Sequence, residues 1–240
     1  ALAIAYLAQQ AGVPDGVINI VTADSEQSIA VGKVLCESPI VRHLSFTGST
    51  EVGRILMAQS APTIKKLALE LGGHAPFIVF DDADIDAAVA GAMVSKYRNA
   101  GQTCVCANRF YVHKKVHDIF VEKLATATKS IKIGNGLEQG ISQGPLIDQQ
   151  AIEKVERHVA DALSKGARLV IGGKRSSLGG TYYEPTVLAG VNSSMLITVE
   201  ETFGPVAPVI PFESDEDVVK LANSSQFGLA YYFYSRDIGR

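Results

Sequence analysis

The order of elements in this chain is set by residues 41–71, which read VRHLSFTGSTEVGRILMAQSAPTIKKLALEL. An apolar run over 41–46 predicts a strand, the apolar spacing over 50–59 predicts a helix, and 66–71 predicts a second strand. Residues 47–50 interrupt the pattern between the first strand and the helix. This strand–helix–strand order predicts two parallel strands joined by a helical crossover.

The same alternation continues on both sides of this stretch. Upstream, the sequence predicts a helix to about Gln10, a short buried strand over 17–21 and a helix over 25–37. The Gly72-Gly73 pair is the strongest break, so we predict a domain boundary after Leu71, giving parts 1–71 and 72–240. Further strands are predicted over 77–80, 109–112, 168–171, 206–212 and 230–234, and further helices begin near residues 81, 116, 149 and 214.

The composition is that of a folded protein with an apolar core. Of 240 residues, 47% are hydrophobic and 20% are charged, and the formal net charge is −3. That much apolar side chain argues against disorder. The slight negative charge argues against a nucleic-acid partner, and the lack of a basic run argues against a membrane surface. No apolar run reaches the roughly 18 residues of a membrane span.

Three cysteines are too few, and odd in number, for a disulfide scaffold, so they predict a reducing compartment. We therefore expect a cytoplasmic location, with a mitochondrial one as the alternative. The first residues have the pattern of the middle of a helix, and the last ones directly follow a strand-like run. We interpret the chain as an internal piece of a longer protein.

The strongest candidate for chemistry is Cys104, in the stretch NAGQTCVC over residues 99–106. It follows a predicted helix and precedes a predicted strand, so we expect it in a glycine-containing turn, where functional side chains are common. A cysteine thiolate is a strong nucleophile once its pKa is lowered, and Arg98 could supply the positive potential. A buried, inert cysteine is the alternative.

Two further stretches are candidates for binding or catalysis. Glu70 ends a predicted strand, at the carboxyl edge of a parallel sheet where ligands usually bind. A carboxylate there can act as a general base if burial raises its pKa; a solvated charge is the alternative. Residues 46–53 join a strand to a helix N-terminus, which favours phosphate, although they match no standard phosphate-binding motif. The spacing of the five histidines indicates no metal site.

Four motifs, in this order along the chain, resemble those of the NAD(P)-dependent aldehyde dehydrogenase superfamily. They are Phe46-Thr47-Gly48-Ser49, Leu69-Glu70-Leu71-Gly72-Gly73, Gly101-Gln102-Thr103-Cys104 and Glu201-Thr202-Phe203-Gly204-Pro205. The similarity extends over the whole chain, and residues 97–106 look most like those of succinate-semialdehyde dehydrogenases. The resemblance implies an α/β fold, truncated at both ends: part of a Rossmann-like cofactor-binding domain over 1–71, then a parallel-sheet α/β catalytic domain over 72–240.

The resemblance also implies an activity, the oxidation of succinic semialdehyde, or a similar short ω-semialdehyde such as glutaric, with reduction of NAD or NADP. Cys104 would attack the aldehyde to give a thiohemiacetal and then a thioester, which water activated by Glu70 would hydrolyse. The family's oxyanion-holding Asn lies upstream of this chain, so the piece alone should have little or no activity. The residues implied to bind the cofactor are Gly48, Ser49, Leu71, Gly72, Glu201 and Phe203.

Two more roles follow from the resemblance, each with a simpler alternative. Arg98 would anchor the distal carboxylate of the substrate, since an arginine can grip a carboxylate bidentately; the alternative is a cation at a helix C-terminus. Cys106 would form a redox switch with Cys104; the alternative is a small packed residue. The partners expected are the aldehyde and, in the full-length protein, further copies in a dimer or tetramer.

Other functions compatible with the residues remain open at this point. Within the superfamily, the alternative is an aldehyde dehydrogenase for an uncharged aldehyde. Outside that activity, the alternatives are a catalytically silent structural relative and a hydrolase that depends on Cys104. The hydrolase predicts ester cleavage that does not depend on nicotinamide.

Overall fold

Helices and strands are mixed along the chain, and the predicted alternation is broken where two helices or two strands follow one another. The computed structural model describes all 240 residues and separates into two units, Ala1–Leu71 and Gly72–Arg240. The separation falls between the same two residues as the predicted boundary. None of the helices is both long enough and apolar enough to span a lipid bilayer.

The first unit is built around two parallel strands. Its helices are α1 (Leu2–Gln10), α2 (Ser25–Glu37) and α3 (Thr50–Ser60), and its strands are β1 (His43–Thr47) and β2 (Lys66–Glu70). Strand β1 leads into α3, and α3 returns to β2, so the crossover predicted from residues 41–71 is confirmed. Asp24 and Ser49 cap α2 and α3 by accepting hydrogen bonds from backbone amides of the first turn.

The buried strand predicted over residues 17–21 was wrong. These residues pair with no neighbouring strand, and the side chains of Val17 and Val21 are 66% and 78% exposed. An apolar run becomes a strand only where another strand lies alongside to take up its backbone hydrogen bonds. In the first unit, β1 and β2 pair only with each other.

The second unit is a six-stranded sheet with order β5-β6-β7-β4-β3-β8. Its strands are β3 (Ala75–Val79), β4 (Ala107–His113), β5 (Arg168–Ile171), β6 (Thr186–Ala189), β7 (Val206–Phe212) and β8 (Tyr232–Tyr234). Its helices are α4 (Ile85–Tyr97), α5 (Lys114–Thr128), α6 (Gln149–Ser164) and α7 (Asp215–Asn223). Alternate residues of β4 enter different cores: Phe110 and Val112 join one apolar cluster, and Tyr111 joins the other.

The prediction of a purely parallel sheet needs one correction. Every neighbouring pair of strands in the second unit is parallel except β5 and β6, which are antiparallel. No helix lies between β5 and β6, and a parallel pair needs a long crossover, usually a helix. Strand β6 was also missed, because four consecutive buried residues carry no alternation from which a strand could be predicted.

Candidate functional site

In the first unit, the carboxyl ends of the two strands bring Gly48 beside Glu70. Thr47 lies opposite Glu70 in the sheet, and the Gly48 amide donates to the Glu70 carbonyl at 3.0 Å. A Cβ on Gly48 would lie 2.4 Å from the ring of Phe46, so this turn has no room for a side chain. The Glu70 side chain is exposed. Two motifs 22 positions apart therefore share one edge of the sheet.

Ser49 and Leu71 both contact the N-terminal part of helix α3. Ser49 caps its first turn, accepting from the Val52 amide at 3.3 Å. A Cβ on Gly53 would lie 2.6 Å from Cδ2 of Leu71, so the helix packs closely on that side chain. A strand, a tight glycine turn and a helix N-terminus in succession form a backbone arrangement that suits a phosphate group.

In the second unit, Cys104 lies in a turn between helix α4 and strand β4, as predicted. The turn spans Thr103–Cys106 and is closed by a bond from the Cys106 amide to the Thr103 carbonyl at 3.0 Å. Just before it, Asn99 and Ala100 have φ angles of +52° and +56°. Such left-handed backbone is uncommon for residues with a side chain and occurs often at functional sites.

The two cysteines of this turn differ in accessibility. Cys104 is partly exposed, whereas Cys106 is 1% exposed and its thiol donates to the Lys96 carbonyl at 3.4 Å. Both are free thiols. A disulfide between them would require Cys106 to leave that carbonyl, and the redox switch stays a prediction. The third cysteine, Cys36, is fully buried in the first unit.

The glycine segment 72–73 packs directly against the turn that contains Cys104. A Cβ on Gly73 would lie 2.0 Å from the Cys104 carbonyl oxygen, a distance that no side chain can occupy. The Gly73 amide donates to Glu201 Oε1 at 3.0 Å, and a Cβ on Gly72 would lie 2.7 Å from Glu201 Oε2. His74, the next residue, is held through its backbone, because buried Arg109 donates from Nε to the His74 carbonyl at 2.9 Å.

The segment 200–204 is held from two directions. From α6, buried His158 contacts Glu200 Oε2 through Nε2 and Thr202 Oγ1 through Nδ1, each at 3.1 Å. From the other side, a Cβ on Gly101 would lie 2.2 Å from the Gly204 carbonyl oxygen. The last motif of the sequence and the nucleophile motif therefore meet backbone to backbone. Between these anchors, Phe203 is exposed and has a φ of +54°.

Arg98 borders a cleft beside the turn Thr103–Cys106. It caps the C-terminus of α4 and is exposed. The cleft has a volume of about 510 Å³, and Arg98, Thr103, Val105 and Tyr232 are among the residues that line it. Thr103 and Val105 are the residues on either side of Cys104. A guanidinium group thus lies along the same cleft as the neighbours of the thiol.

Burial of two histidines keeps both neutral. Burial, together with the nearby Arg109 guanidinium, lowers the pKa of His74 to about 3. Neither ring nitrogen of His74 has a hydrogen-bond partner of good geometry, although the Thr198 backbone opposes the shift slightly. Burial also lowers the pKa of His158, against the opposing effect of Glu200. No three His, Cys, Asp or Glu side chains are grouped so that they could hold a metal ion.

Two residues at the site were missed by sequence reasoning. His158 contacts a segment more than 40 positions away, and the hydroxyl of Tyr232 bonds to Val105, 127 positions away. Neither belongs to a local motif, and a single sequence gives no signal for contacts at such separations. Only the fold could identify them.

Comparisons with known proteins agree with the motifs. The model of the aldehyde dehydrogenase family matches residues 1–240. The 3-sulfolactaldehyde dehydrogenase of Pseudomonas putida is 58% identical over 100% of this chain and 49% of its own length. The NADP(+) succinate-semialdehyde dehydrogenase GabD of Escherichia coli K12 has the same identity and coverage.

A solved structure agrees as closely. The succinate-semialdehyde dehydrogenase from Burkholderia pseudomallei superposes with a TM-score of 0.97 at 62% identity, covering 100% of this chain and 49% of that one. The chain therefore spans about half the length of the curated relatives it matches.

Proposed function

Because the chain belongs to the aldehyde dehydrogenase family, we propose that the intact protein oxidises a short ω-semialdehyde, succinic or glutaric, to the dicarboxylate. The observation that carries the proposal is the position of Cys104 in a turn that directly follows left-handed backbone at Asn99 and Ala100, with the residues on either side of Cys104 lining one cleft with Arg98. A partly exposed thiol supplies the nucleophile, and a guanidinium along the same cleft supplies a partner for a distal anion.

The covalent steps take place on Cys104. Its thiolate attacks the aldehyde carbon, the C–S bond forms and the carbonyl oxygen takes up a proton, which gives a thiohemiacetal. The hydride of that carbon would pass to a bound NAD or NADP, which would supply the oxidising power, and the hydroxyl proton would pass to solvent, so that a thioester would remain. Glu70 takes a proton from water, the hydroxide adds to the thioester, and the C–S bond breaks to release the acid and the thiolate. A cysteine sulfur suits these steps because it is both a good nucleophile toward the aldehyde and a good leaving group from the thioester.

The residues present fit a nicotinamide dinucleotide. Helix α3 begins directly after the tight turn at Gly48, and its N-terminal amides would meet the pyrophosphate beside Ser49. Glu201 Oε2 lies 2.7 Å from where a Cβ on Gly72 would be, and the Glu201 carboxylate would accept bonds from ribose hydroxyls. Leu71 and Phe203 would pack near the nicotinamide end. The name of the E. coli relative gives NADP as the cofactor of that enzyme.

The relatives support an anionic substrate without fixing which one. Two proteins of equal identity to this chain are named for 3-sulfolactaldehyde and for succinate semialdehyde. Both aldehydes carry an acidic group away from the reacting carbon, a sulfonate in one case and a carboxylate in the other. Recognition of a distal anion by Arg98 accommodates both. An uncharged aldehyde is the alternative, and it would make no use of this guanidinium.

The test of the proposed function is a comparison of Arg98→Leu with the matched control Arg168→Leu. Arg168 is exposed on β5, away from the cleft. In the intact enzyme, Arg98→Leu should raise KM for succinic semialdehyde at least tenfold while changing KM for a neutral aldehyde such as butyraldehyde little. Arg168→Leu should change neither constant. Equal effects of Arg98→Leu on the two aldehydes would favour the uncharged substrate, and no turnover of any aldehyde would refute the proposed function.

A further inference from the structure

The peptide between the two cysteines is held by a side chain from the far end of the chain. Val105 lies between Cys104 and Cys106, and its carbonyl accepts a hydrogen bond from the Tyr232 hydroxyl at 2.8 Å. A peptide unit is planar, so fixing this carbonyl fixes the peptide that joins Val105 to Cys106. On the other side of the turn, Gly73 packs against the Cys104 carbonyl. The nucleophile is therefore confined from two directions.

Tyr232 is itself firmly placed. It lies on β8 opposite Phe77 of β3, and the two ring centroids are 5.9 Å apart. Side chains alternate along the strand, so Tyr232 is partly buried while Tyr231 and Phe233 are 74% and 55% exposed. The hydroxyl thus reaches the turn from a ring whose position the sheet determines.

The surroundings of the hydroxyl include the reacting groups. Burial raises the pKa of Tyr232, both cysteines raise it further, and Arg98 lowers it. The hydroxyl therefore keeps its proton near neutral pH and remains a donor to Val105. The same interactions indicate that the hydroxyl lies within electrostatic reach of both thiols and of Arg98.

We propose that Tyr232 is a positioning residue for the nucleophile, holding the Val105 peptide so that the turn keeps Cys104 in a single orientation. Without the hydroxyl, the Val105 carbonyl loses its partner and the turn can rotate. A misplacement of about 1 Å can lower a rate by about 100-fold, because the reacting atoms must meet at a fixed distance and angle. This inference rests on the proposed role of Cys104.

The test compares Tyr232→Phe with Tyr231→Phe in the intact enzyme. Tyr232→Phe keeps the ring and removes only the hydroxyl, and Tyr231 is an exposed neighbour whose hydroxyl has no described bond. We expect Tyr232→Phe to lower kcat at least tenfold with KM for the cofactor unchanged. We also expect the rate constant for alkylation of Cys104 by iodoacetamide at a fixed pH to change at least threefold, because the turn that carries the thiol is no longer held by this hydrogen bond. Tyr231→Phe should match the wild type in kcat, in KM for the cofactor and in the alkylation of Cys104.

The alkylation readout separates this inference from the proposed function, because it needs no turnover. If Cys104 of Tyr232→Phe is alkylated by iodoacetamide just as it is in the wild type, the positioning role is overturned, whatever the kcat of the variant. An equal change in the alkylation of Cys104 in Tyr231→Phe also overturns the positioning role of Tyr232. A wild-type enzyme that turns over no aldehyde, but whose alkylation profile still depends on Tyr232, overturns the proposed function and leaves the positioning role standing.

Discussion

At the residue scale, glycines mark the places where backbone meets backbone at this site. Gly73 lies against the Cys104 carbonyl, and Gly101 lies against the Gly204 carbonyl. Neither contact can be relieved by rotating a side chain, because the opposing atom belongs to the main chain. The glycines of the two motifs thus allow the nucleophile turn to come close to segments that are distant in sequence.

Gly73→Ala should therefore be far more damaging than an ordinary glycine substitution. The new methyl group would have to displace the Cys104 carbonyl, which lies 2.0 Å from its position. We expect a loss of about 1–3 kcal/mol in the free energy of unfolding and at least a tenfold lower kcat. Gly144→Ala is the control, since nothing lies within 4 Å of a Cβ there. Wild-type kcat in Gly73→Ala would show that this contact is not needed.

His74 should make the stability of the protein depend on pH. Its pKa is about 3 in the folded protein, below the ordinary value of 6.5, so below pH 6.5 the unfolded chain binds a proton that the folded chain does not. Stability is then fully present above about pH 6.5 and is lost as the pH falls toward 3. From pH 7 to pH 5 the loss is about 2 kcal/mol.

Urea unfolding of the wild type and of His74→Phe at both pH values checks this prediction. The variant keeps a buried ring that cannot titrate, so its decrease between pH 7 and pH 5 should be smaller by about 2 kcal/mol. Other groups that titrate in this range, His158 among them, are common to both proteins. Equal decreases would mean that His74 gains a proton without unfolding.

At the element scale, helix α6 acts as the anchor of the segment that carries Glu201. His158 on that helix bonds to Glu200 and Thr202, the two neighbours of Glu201. Thr202 is 1% exposed, so its hydroxyl has no access to water as a substitute partner. The position of a proposed cofactor ligand thus depends on a helix that contributes no proposed ligand of its own.

Thr202→Val tests this anchor. The substitution keeps the shape and leaves a buried nitrogen of His158 without its partner, which should cost about 1–3 kcal/mol in unfolding free energy. We expect KM for the cofactor to rise at least threefold with kcat little changed. Thr126→Val, on the exposed face of α5, should alter neither quantity. An unchanged cofactor KM in Thr202→Val would mean that α6 does not determine where Glu201 lies.

Some of the helices, strands and site residues could be predicted from the sequence alone, and others could not. Apolar periodicity located α2, α3 and the start of α6 within a residue or two, since that signal is local. The run over 17–21 failed because strand formation depends on a neighbour, and β6 was missed because a short buried strand carries no alternation. At the site, motifs indicated Cys104 and Glu201, but the contacts of Tyr232 and His158 are set by the packing of whole elements.

At the scale of the whole molecule, the two units differ in how much they bury. Both apolar clusters lie in Gly72–Arg240. In Ala1–Leu71, helix α1 has no buried residue, and α2 has only Cys36. Burial of apolar surface is the main stabilising contribution to a fold, so the units should differ in local stability.

Hydrogen exchange on the 240-residue chain tests that difference. Amides of β3 and β4, which lie between other strands, should be the slowest to exchange. Amides of α1 should exchange at least 100-fold faster, since opening that helix exposes little buried surface. Equal protection in α1 and β4 would contradict the assignment of the stable core to the second unit.

The measurement that tests the central claim most directly is the intact and peptide mass of a Glu70→Gln enzyme mixed with succinic semialdehyde and NAD or NADP. Loss of the general base should stop hydrolysis after hydride transfer, so the acyl group should accumulate. We predict one equivalent of reduced cofactor per active site and one succinyl group on the peptide containing Cys104. Steady turnover without an acyl group on Cys104, or an acyl group on another residue, would contradict the account.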